Sequence, residues 1–439
     1  MIEKYINVDF SHRCGRVKPL TGLSGGPVFD REGRLDFTEE YKELAAPAIR
    51  IADSECGEWG FLDIHNVFPD FSLDETMPLS YNFTAADKLV LLAKETGAEI
   101  YLRLGESPEP YEVKLHTRPP RDREKWARIC ERIVAHYNRG FAAGYKLGIK
   151  YVEIMSSPDG DCFFGEKEEY FELYRAAAER LKACFPRLKV GAYSSGGFKS
   201  LNRVDVTERE RSYVAFLEDF LDFVSKNGVP LDFFSWKCFA ETPEELALHT
   251  RYAASYLNHA GQKRAESIIS EFNLSGTPFD SRKYPALLAA SVITALKSDV
   301  SMMFYSGTHP YSEKNALYTL DDGVTKRKYA AFSVMRSLGK LLGRGFSVVD
   351  TGEDYRHELY TLATSNGERG YVILVTGEFD GRVELTADGQ TFSSYSIEGT
   401  LGGGERGAGF STSATELPFD GRIVLRTGKY EVYFISLRS

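Results

Sequence analysis

Cysteine, tryptophan, methionine and histidine are all scarce in this chain of 439 residues, at 6, 3, 6 and 8 copies. The cysteines at 14, 56, 130, 162, 184 and 238 show no C-x-x-C spacing. That excludes a zinc ribbon, and a chain of this size needs no disulfide staples, so most of them read as small buried hydrophobes. The histidines have no H-x-x-x-H or H-x-H spacing and no clustering with carboxylates in the sequence, so neither a metal site nor a cofactor is expected. Basic charge is also short, with 54 Lys and Arg against 63 Asp and Glu, a formal charge of -9. A nucleic-acid partner is not expected on that balance. No segment approaches the roughly 18 apolar residues of a membrane span. The opening MIEKYINVDFSHR lacks the basic stretch and apolar core of a leader, which predicts a soluble, cytoplasmic protein with no membrane partner. G-x-S-x-G, P-loop and dinucleotide-binding patterns are missing too.

What the sequence does contain is a long alternation. Such a length predicts one large domain of roughly 300 residues with a satellite. From 17 to 345, short apolar runs alternate with longer amphipathic stretches, the pattern of a parallel sheet covered by helices. The runs are Val17 to Leu23, Ala48 to Ala52, Glu99 to Leu104, Tyr151 to Met155, Lys189 to Tyr193, Asp232 to Cys238, Ser267 to Phe272 and Ser301 to Tyr305. Eight strand-helix units close into a (β/α)8 TIM barrel, an α/β fold whose reactive face lies at the C-terminal ends of the strands. Between them, DREKWARICERIVAHYNRGF sets Trp126, Ile129, Ile133 and Val134 on one helical face. EEYFELYRAAAERLKACF and SRKYPALLAASVITALK behave alike.

After 345 the texture becomes period-2 runs cut by Gly and Asp, such as HELYTLATS, RGYVILVTGEFDG and KYEVYFISL. This predicts a small antiparallel β-sandwich, which EKYINVDF at the N-terminus joins as a further strand. The expected domains are therefore 13–345 for the barrel and 1–12 with 346–439 for the sandwich. LGGGERGAGFSTSATE reads as a flexible loop.

Four stretches together resemble glycoside hydrolase family 39, the group of β-xylosidases and α-L-iduronidases: GRVKPLTGLSGGPV, KYVEIMSSPDGDCFFGEKEEYFELYRAAAERLKACFPRLKVG, DFFSWKCFA and SIISEFNLSG. They are similar to the family's first strand and glycine turn, its fourth strand with acidic loop and helix, its sixth strand and its seventh. The resemblance implies a retaining glycosidase with carbohydrate as partner, and puts Glu271 at the nucleophile position. The residues agree, since a lone carboxylate ending an apolar barrel strand points to the mouth more often than to solvent. A salt-bridged structural carboxylate is the alternative.

Retaining hydrolysis needs a second carboxyl about 5 to 5.5 Å away, acting as acid and then base. The family carries it in Trp-Asn-Glu-Pro, whereas this chain has Met155, Ser156, Ser157 and Pro158. Ser157 thus stands at the proton donor's position, and a hydroxyl cannot supply general-acid help worth about 10²- to 10⁴-fold. Histidines of the pattern are also replaced, by Ala52 and Lys237. Asp159 and Asp161, on the loop after the fourth strand, are the candidate substitute acids, although loop acids are usually solvated. Glu153 lies roughly 13 Å deeper on the same strand and reads as structural.

Lys237, facing the mouth, would keep Glu271 ionised; the alternative is a lysine snorkelling between helices. Asp53, Glu55, Glu106, Ser156 and Asn273 are candidate sugar-hydroxyl partners, Trp236 and Tyr305 candidate stacking platforms, and His309 and His65 the histidines placed to matter. Trp59, Trp126, Phe163 and Phe164 are expected to pack. Two functions fit: a glycosidase on a β-linked sugar with altered proton donation, or a carbohydrate-binding pseudoenzyme. A third makes Lys237 and Glu271 a new catalytic pair. Sugar, linkage and oligomeric state are not legible.

Overall fold

The first strand, β1 (Glu3–Arg16), stands outside the barrel that follows it. Strands β2 (Gly22–Ser24), β3 (Ala48–Ile51), β4 (Glu99–Leu104), β5 (Tyr151–Ile154), β6 (Lys189–Ser195), β7 (Phe233–Ala240), β8 (Glu266–Leu274) and β9 (Val300–Tyr305) close a parallel barrel in chain order, β2 pairing with β9. The computed structural model describes residues 3–29, 35–52, 61–109, 112–310, 317–323, 325–343, 345–352, 355, 357–401 and 409–439. The first barrel strand is shorter than the run Val17 to Leu23 suggests, because β1 continues to Arg16 and Pro19 has no N–H to give to a ladder.

Alternation along the strands sorts side chains into two layers. Ala48, Tyr101, Phe233, Ile268, Met302 and Phe304 point inward and fill the floor of the barrel. Their outward neighbours, including Ile49, Leu102, Phe234 and Ile269, meet the helices in one large core. The helix Arg123–Arg139 buries Trp126, Ile129, Ile133 and Val134, as its periodicity predicts. The Asp122 side chain accepts from the Lys125 N–H at its start and Gly140 ends it at φ 80°, so both ends satisfy backbone groups that the helix cannot.

After a short hairpin, β10 (Tyr318–Asp321) with β11 (Thr325–Lys328), and a helix Ala330–Leu341, the chain enters the second sheet. Its strands are β12 (Ser347–Asp350), β13 (Leu359–Ser365), β14 (Arg369–Thr376), β15 (Gly381–Asp388), β16 (Ser394–Thr400), β17 (Phe410–Pro418), β18 (Arg422–Thr427) and β19 (Val432–Arg438). Together with β1 they make one nine-stranded sheet in the order β17-β16-β19-β14-β13-β12-β1-β15-β18. All pairs are antiparallel except β1 with β15, which run parallel. Ile6, Val8 and Phe10 of β1 join Val372, Leu374, Val383 and Ile435 in a core of its own. The expected loop LGGGERGAGFSTSATE is corrected in its second half, which forms the edge strand β17. Most of its residues are exposed, so no hydrophobic alternation marks it in the sequence; residues 402–408 lie outside the described part. Among the described residues, no helix is long and apolar enough to cross a membrane.

Candidate active site

Glu271 reaches the barrel mouth through an irregularity in its strand. Trp236 of β7 pairs with Ile269 of β8, and the next pair is Lys237 with Glu271, so Ser270 is an extra residue. Strict alternation after inward Ile268 and outward Ile269 would turn Glu271 towards the helices. The bulge re-aims it, as bulges at barrel rims do. The Ser270 hydroxyl is held at 2.8 Å from the Ser194 hydroxyl and donates to the Trp236 carbonyl at 3.2 Å.

At the mouth, Lys237 Nζ lies 3.1 Å from Glu271 Oε1 and Arg50 Nη1 lies 3.5 Å from the same oxygen. Burial by itself would raise the Glu271 pKa, but Lys237 and then Arg50 outweigh it and hold the carboxyl below its ordinary value. Burial lowers that of Lys237 while Glu271 raises it, and the net shift is upward. The pair is therefore ionic.

Arg50 is the functional residue that the sequence reading missed. It is fully buried on β3, donates from Nε (3.1 Å) and Nη2 (2.5 Å) to Glu153 Oε1, and reaches the Ser156 and Ser24 hydroxyls at 3.2 and 3.3 Å. Glu153 also accepts from the Tyr101 hydroxyl at 2.9 Å, in keeping with the structural role expected of it. The signal was an arginine inside the apolar run AIRI at the same parity as inward Ala48. A cation buried there needs carboxylates, and Glu153 and Glu271 are those carboxylates.

The turn after β5 is where the acid of the family motif would lie. Met155 and Ser157 have φ of 65° and 46°, and Ser194 opposite has 53°. Non-glycine residues in that left-handed region cost about 1 to 3 kcal/mol each and gather at functional sites. Ser157 donates its hydroxyl to the Ser194 carbonyl at 3.0 Å and its N–H to the Tyr193 carbonyl at 2.8 Å. Ser156 is engaged with Arg50.

Of the two loop acids, the structure separates one from the other. Asp161 is exposed and paired with Arg209 at 2.7 Å. Asp159 turns inward. Its Oδ2 accepts from the Ser195 hydroxyl at 2.9 Å and the Gly196 N–H at 3.0 Å, while buried Oδ1 has no hydrogen-bond partner among the described residues. Burial pushes its pKa up to about 6 against the opposing pull of Gly196, Ser195 and the Lys237 charge.

Several expected sugar contacts are corrected. With Lys237 facing inward, period 2 turns Trp236 outward; it is fully buried against Phe198 and donates to the Ser267 hydroxyl. Tyr305 likewise points away from inward Phe304 and bonds the Tyr284 hydroxyl at 2.8 Å, so neither ring is a stacking platform. Asn273 spends its amide on the Ser306 carbonyl, the Tyr284 hydroxyl and the Leu274 N–H, tying β8 to β9.

Glu106 gives both oxygens to His65, at 3.2 Å to its N–H and 2.5 Å to Nδ1. Burial raises Glu106 to about 8 and lowers His65, which makes this a bond between a neutral acid and a neutral imidazole. Asp63, paired with Arg103 at 2.9 Å, completes a group of three whose ligand atoms lie within 4.8 Å, so the expectation that no histidine clusters with carboxylates is corrected. Arg103 already supplies the cation there. His309 is half-buried after β9, and burial lowers its pKa. Asp53, Glu55 and Trp59 lie outside the described residues. Phe163 is buried as expected, whereas Phe164 is 60% exposed.

Beside the Lys237–Glu271 pair opens a cavity of about 250 Å³, lined in part by Pro108, Ser157, Cys162, Tyr213, Lys237 and Phe239. The charged anchors Lys237, Arg50 and Glu271, rather than this side cavity, suit a polyhydroxylated ligand whose chemistry needs a fixed carboxylate.

Comparison with known proteins points the same way. A β-xylosidase of Caldicellulosiruptor saccharolyticus is 27% identical over 182 residues, 39% of this chain and 33% of that protein. A β-xylosidase of Geobacillus stearothermophilus is 22% identical over 332 residues, 65% of this chain and 62% of that protein. The aligned part therefore spans from a third to under two thirds of these relatives. The crystal structure of a glucosidase from Croceicoccus marinus superposes over the full length of both chains with a TM-score of 0.82 at 20% identity, a likeness of fold. Residues 42–291 match the family model of glycosyl hydrolases family 39, more than half of the chain. On a closed barrel with a charged mouth and that match, the chain belongs to glycosyl hydrolases family 39.

Proposed function

We propose that this protein is a retaining glycosidase acting on a β-linked sugar, with Glu271 as nucleophile and Asp159 as proton donor in place of the acid that Ser157 replaces. The observation that carries the reading is the Glu271 carboxylate, fixed at the mouth 3.1 Å from Lys237 and 3.5 Å from Arg50. A carboxylate held ionised there is ready to attack an anomeric carbon. Its attack forms a glycosyl ester while the glycosidic C–O bond breaks. The leaving oxygen takes that electron pair and the Asp159 proton. Water, giving its proton back to Asp159, then cleaves the ester and frees Glu271.

What supports Asp159 is its burial, its pKa of about 6 and the unbonded Oδ1, which can carry the proton while Ser195 and Gly196 hold Oδ2. Lys237 links the two carboxyls electrostatically, since its charge acts on both. Ser157 cannot serve, having committed its hydroxyl to a carbonyl. That commitment is also the one observation favouring a sugar-binding protein without turnover.

The test uses nitrophenyl β-xylosides and β-glucosides, sugars chosen from the names of the relatives. The native protein should release nitrophenolate with the anomeric configuration of the sugar retained, and Glu271→Gln should abolish release. Turnover unchanged in Glu271→Gln would remove Glu271 from the role. Tight sugar binding without turnover by the native protein would select the binding reading.

A further inference from the structure

We propose that the mouth is built for β-glycosides whose leaving group is a large, apolar, aromatic alcohol rather than a second sugar. This inference rests on the glycosidase reading and names the substrate class of the same site. Three observations carry it.

The first is the lining of the cavity beside Lys237. Phe239 follows Lys237 at the inward parity of β7, Tyr213 packs its ring on Gly196, and Pro108 adds a further apolar wall. The charged and polar side chains around them, Lys237 and His249 among them, already have protein partners. Lys199 pairs with Glu210 at 3.6 Å, Asp161 with Arg209 at 2.7 Å, and Ser157 donates to the Ser194 carbonyl. A second sugar would need several placed donors and acceptors, whereas a ring system needs apolar walls. At about 250 Å³ the cavity is smaller than the ~300 to 1,000 Å³ of drug-sized sites, so it fits one fused ring and lets the remainder emerge.

The second is where it would emerge. Val113, Leu115 and Phe164 are 64%, 67% and 60% exposed, on the loops that follow β4 and β5. The Phe164 N–H donates to the Thr117 carbonyl at 2.6 Å, which joins these two loops beside cavity-lining Cys162 and Pro108. Val113, Leu115 and Phe164 thus gather on two loops joined to one another at the mouth side of β4 and β5. Scattered single exposures are ordinary, but a concentration on one side of a mouth marks a contact surface. Leu115 precedes His116, whose ring stacks at 3.7 Å on His65, so this loop is tied to the Glu106 side of the mouth.

The third is the chemistry of departure. The position that supplies a strong acid in the family motif is a serine here. A phenol, with an ionisation like that of tyrosine near 10, leaves as phenolate carrying the bonding pair and takes its proton afterwards from water; a sugar hydroxyl is a far worse leaving group. A leaving group that needs little help from Asp159 and an apolar leaving-group site point to the same substrates.

Affinity is measured by calorimetry on Glu271→Gln with β-naphthyl xyloside and glucoside against the β-linked disaccharide of the same sugar. The naphthyl compound should bind at least tenfold more tightly. That advantage should fall roughly tenfold when Leu115→Ser and Phe164→Ser are combined, with the melting temperature as a check on folding. Equal binding of the disaccharide, or a preference that survives the double substitution in a folded protein, overturns the inference. Cleavage of the β-glycosyl fluoride by the native enzyme reports the Glu271 chemistry alone. Its absence beside an intact naphthyl preference would remove the hydrolytic reading and leave the aromatic site standing.

Discussion

At the scale of single residues, the proposed chemistry depends on two carboxyls pushed in opposite directions. Glu271 is held low by Lys237 and Arg50, and Asp159 is held high by burial, so one is ionised where the other still keeps a proton. Pairs of carboxyls so divided mark the nucleophile and the acid of glycosidases. A proton donor with a pKa of about 6 is consumed as pH rises through that value. For unactivated oligosaccharides, kcat/KM should therefore fall at low pH where Glu271 gains a proton, hold a plateau near pH 5, and fall tenfold per unit above about pH 6 to 7 as Asp159 loses its proton. Asp159→Asn should erase that limb and reduce the acid-side rate by about two to four orders of magnitude, with a much smaller loss on dinitrophenyl glycosides. A pH profile that keeps its shape in Asp159→Asn would assign the proton to another group.

At the scale of elements, close backbone approaches position Lys237. Gly197 has φ +95°, and a Cβ there would stand 2.4 Å from the Lys237 carbonyl. Gly197→Ala thus meets both a conformation that L residues avoid and a backbone wall. The expected loss is about 2 kcal/mol or more, a fall in melting temperature of several degrees by calorimetry. Because β7 must shift to accept it, the Lys237–Glu271 contact should loosen and the pKa governing the acid limb of nucleophile ionisation should rise. A variant with native melting and native pH dependence would show that this approach positions nothing. The same scale explains why the strand runs were legible and Trp236 was not read correctly. The run DFFSWKCFA announces a strand, but only fixing Lys237 inward decides that its neighbours Trp236 and Cys238 face the helices.

At the scale of the molecule, β1 lies between β12 and β15 and, among the described strands, alone joins them, so it ties the pair β15 and β18 to the rest of the second sheet. It also brings Ile6 and Val8, each worth about 1.5 to 3 kcal/mol when buried, into the core of that sheet. Removing residues 3–9 should strip β15 of its β1 partners, Glu3 to Asp9, while Arg13, Gly15 and Arg16 stay paired with β12. Limited proteolysis should then cut the segment after residue 380 much faster than in the full chain. Equal protection in both would mean that the sheet holds without its N-terminal strand.

The sequence by itself determined the barrel, the helical faces and the sheet-rich C-terminal part, because hydrophobic periods of 2 and 3.6 record which face of each element is buried. It also singled out Glu271, Lys237, Asp159 and the serine at 157, since charges and departures at strand ends stand out against apolar runs. The tertiary structure decided the rest. The bulge at Ser270 turns Glu271 into the mouth, which a periodic pattern cannot foretell because one extra residue leaves no mark on composition. Arg50 became part of the site only when β3 was set opposite β5 and β8, bringing Glu153 and Glu271 from 103 and 221 positions away in the chain. Asp159 and Asp161 are two residues apart and indistinguishable by type; burial against Ser195 and Gly196 for one, and Arg209 with solvent for the other, sets their surroundings apart. Local sequence fixes what a residue can ionise to, and only the packing around it fixes at which pH it does so.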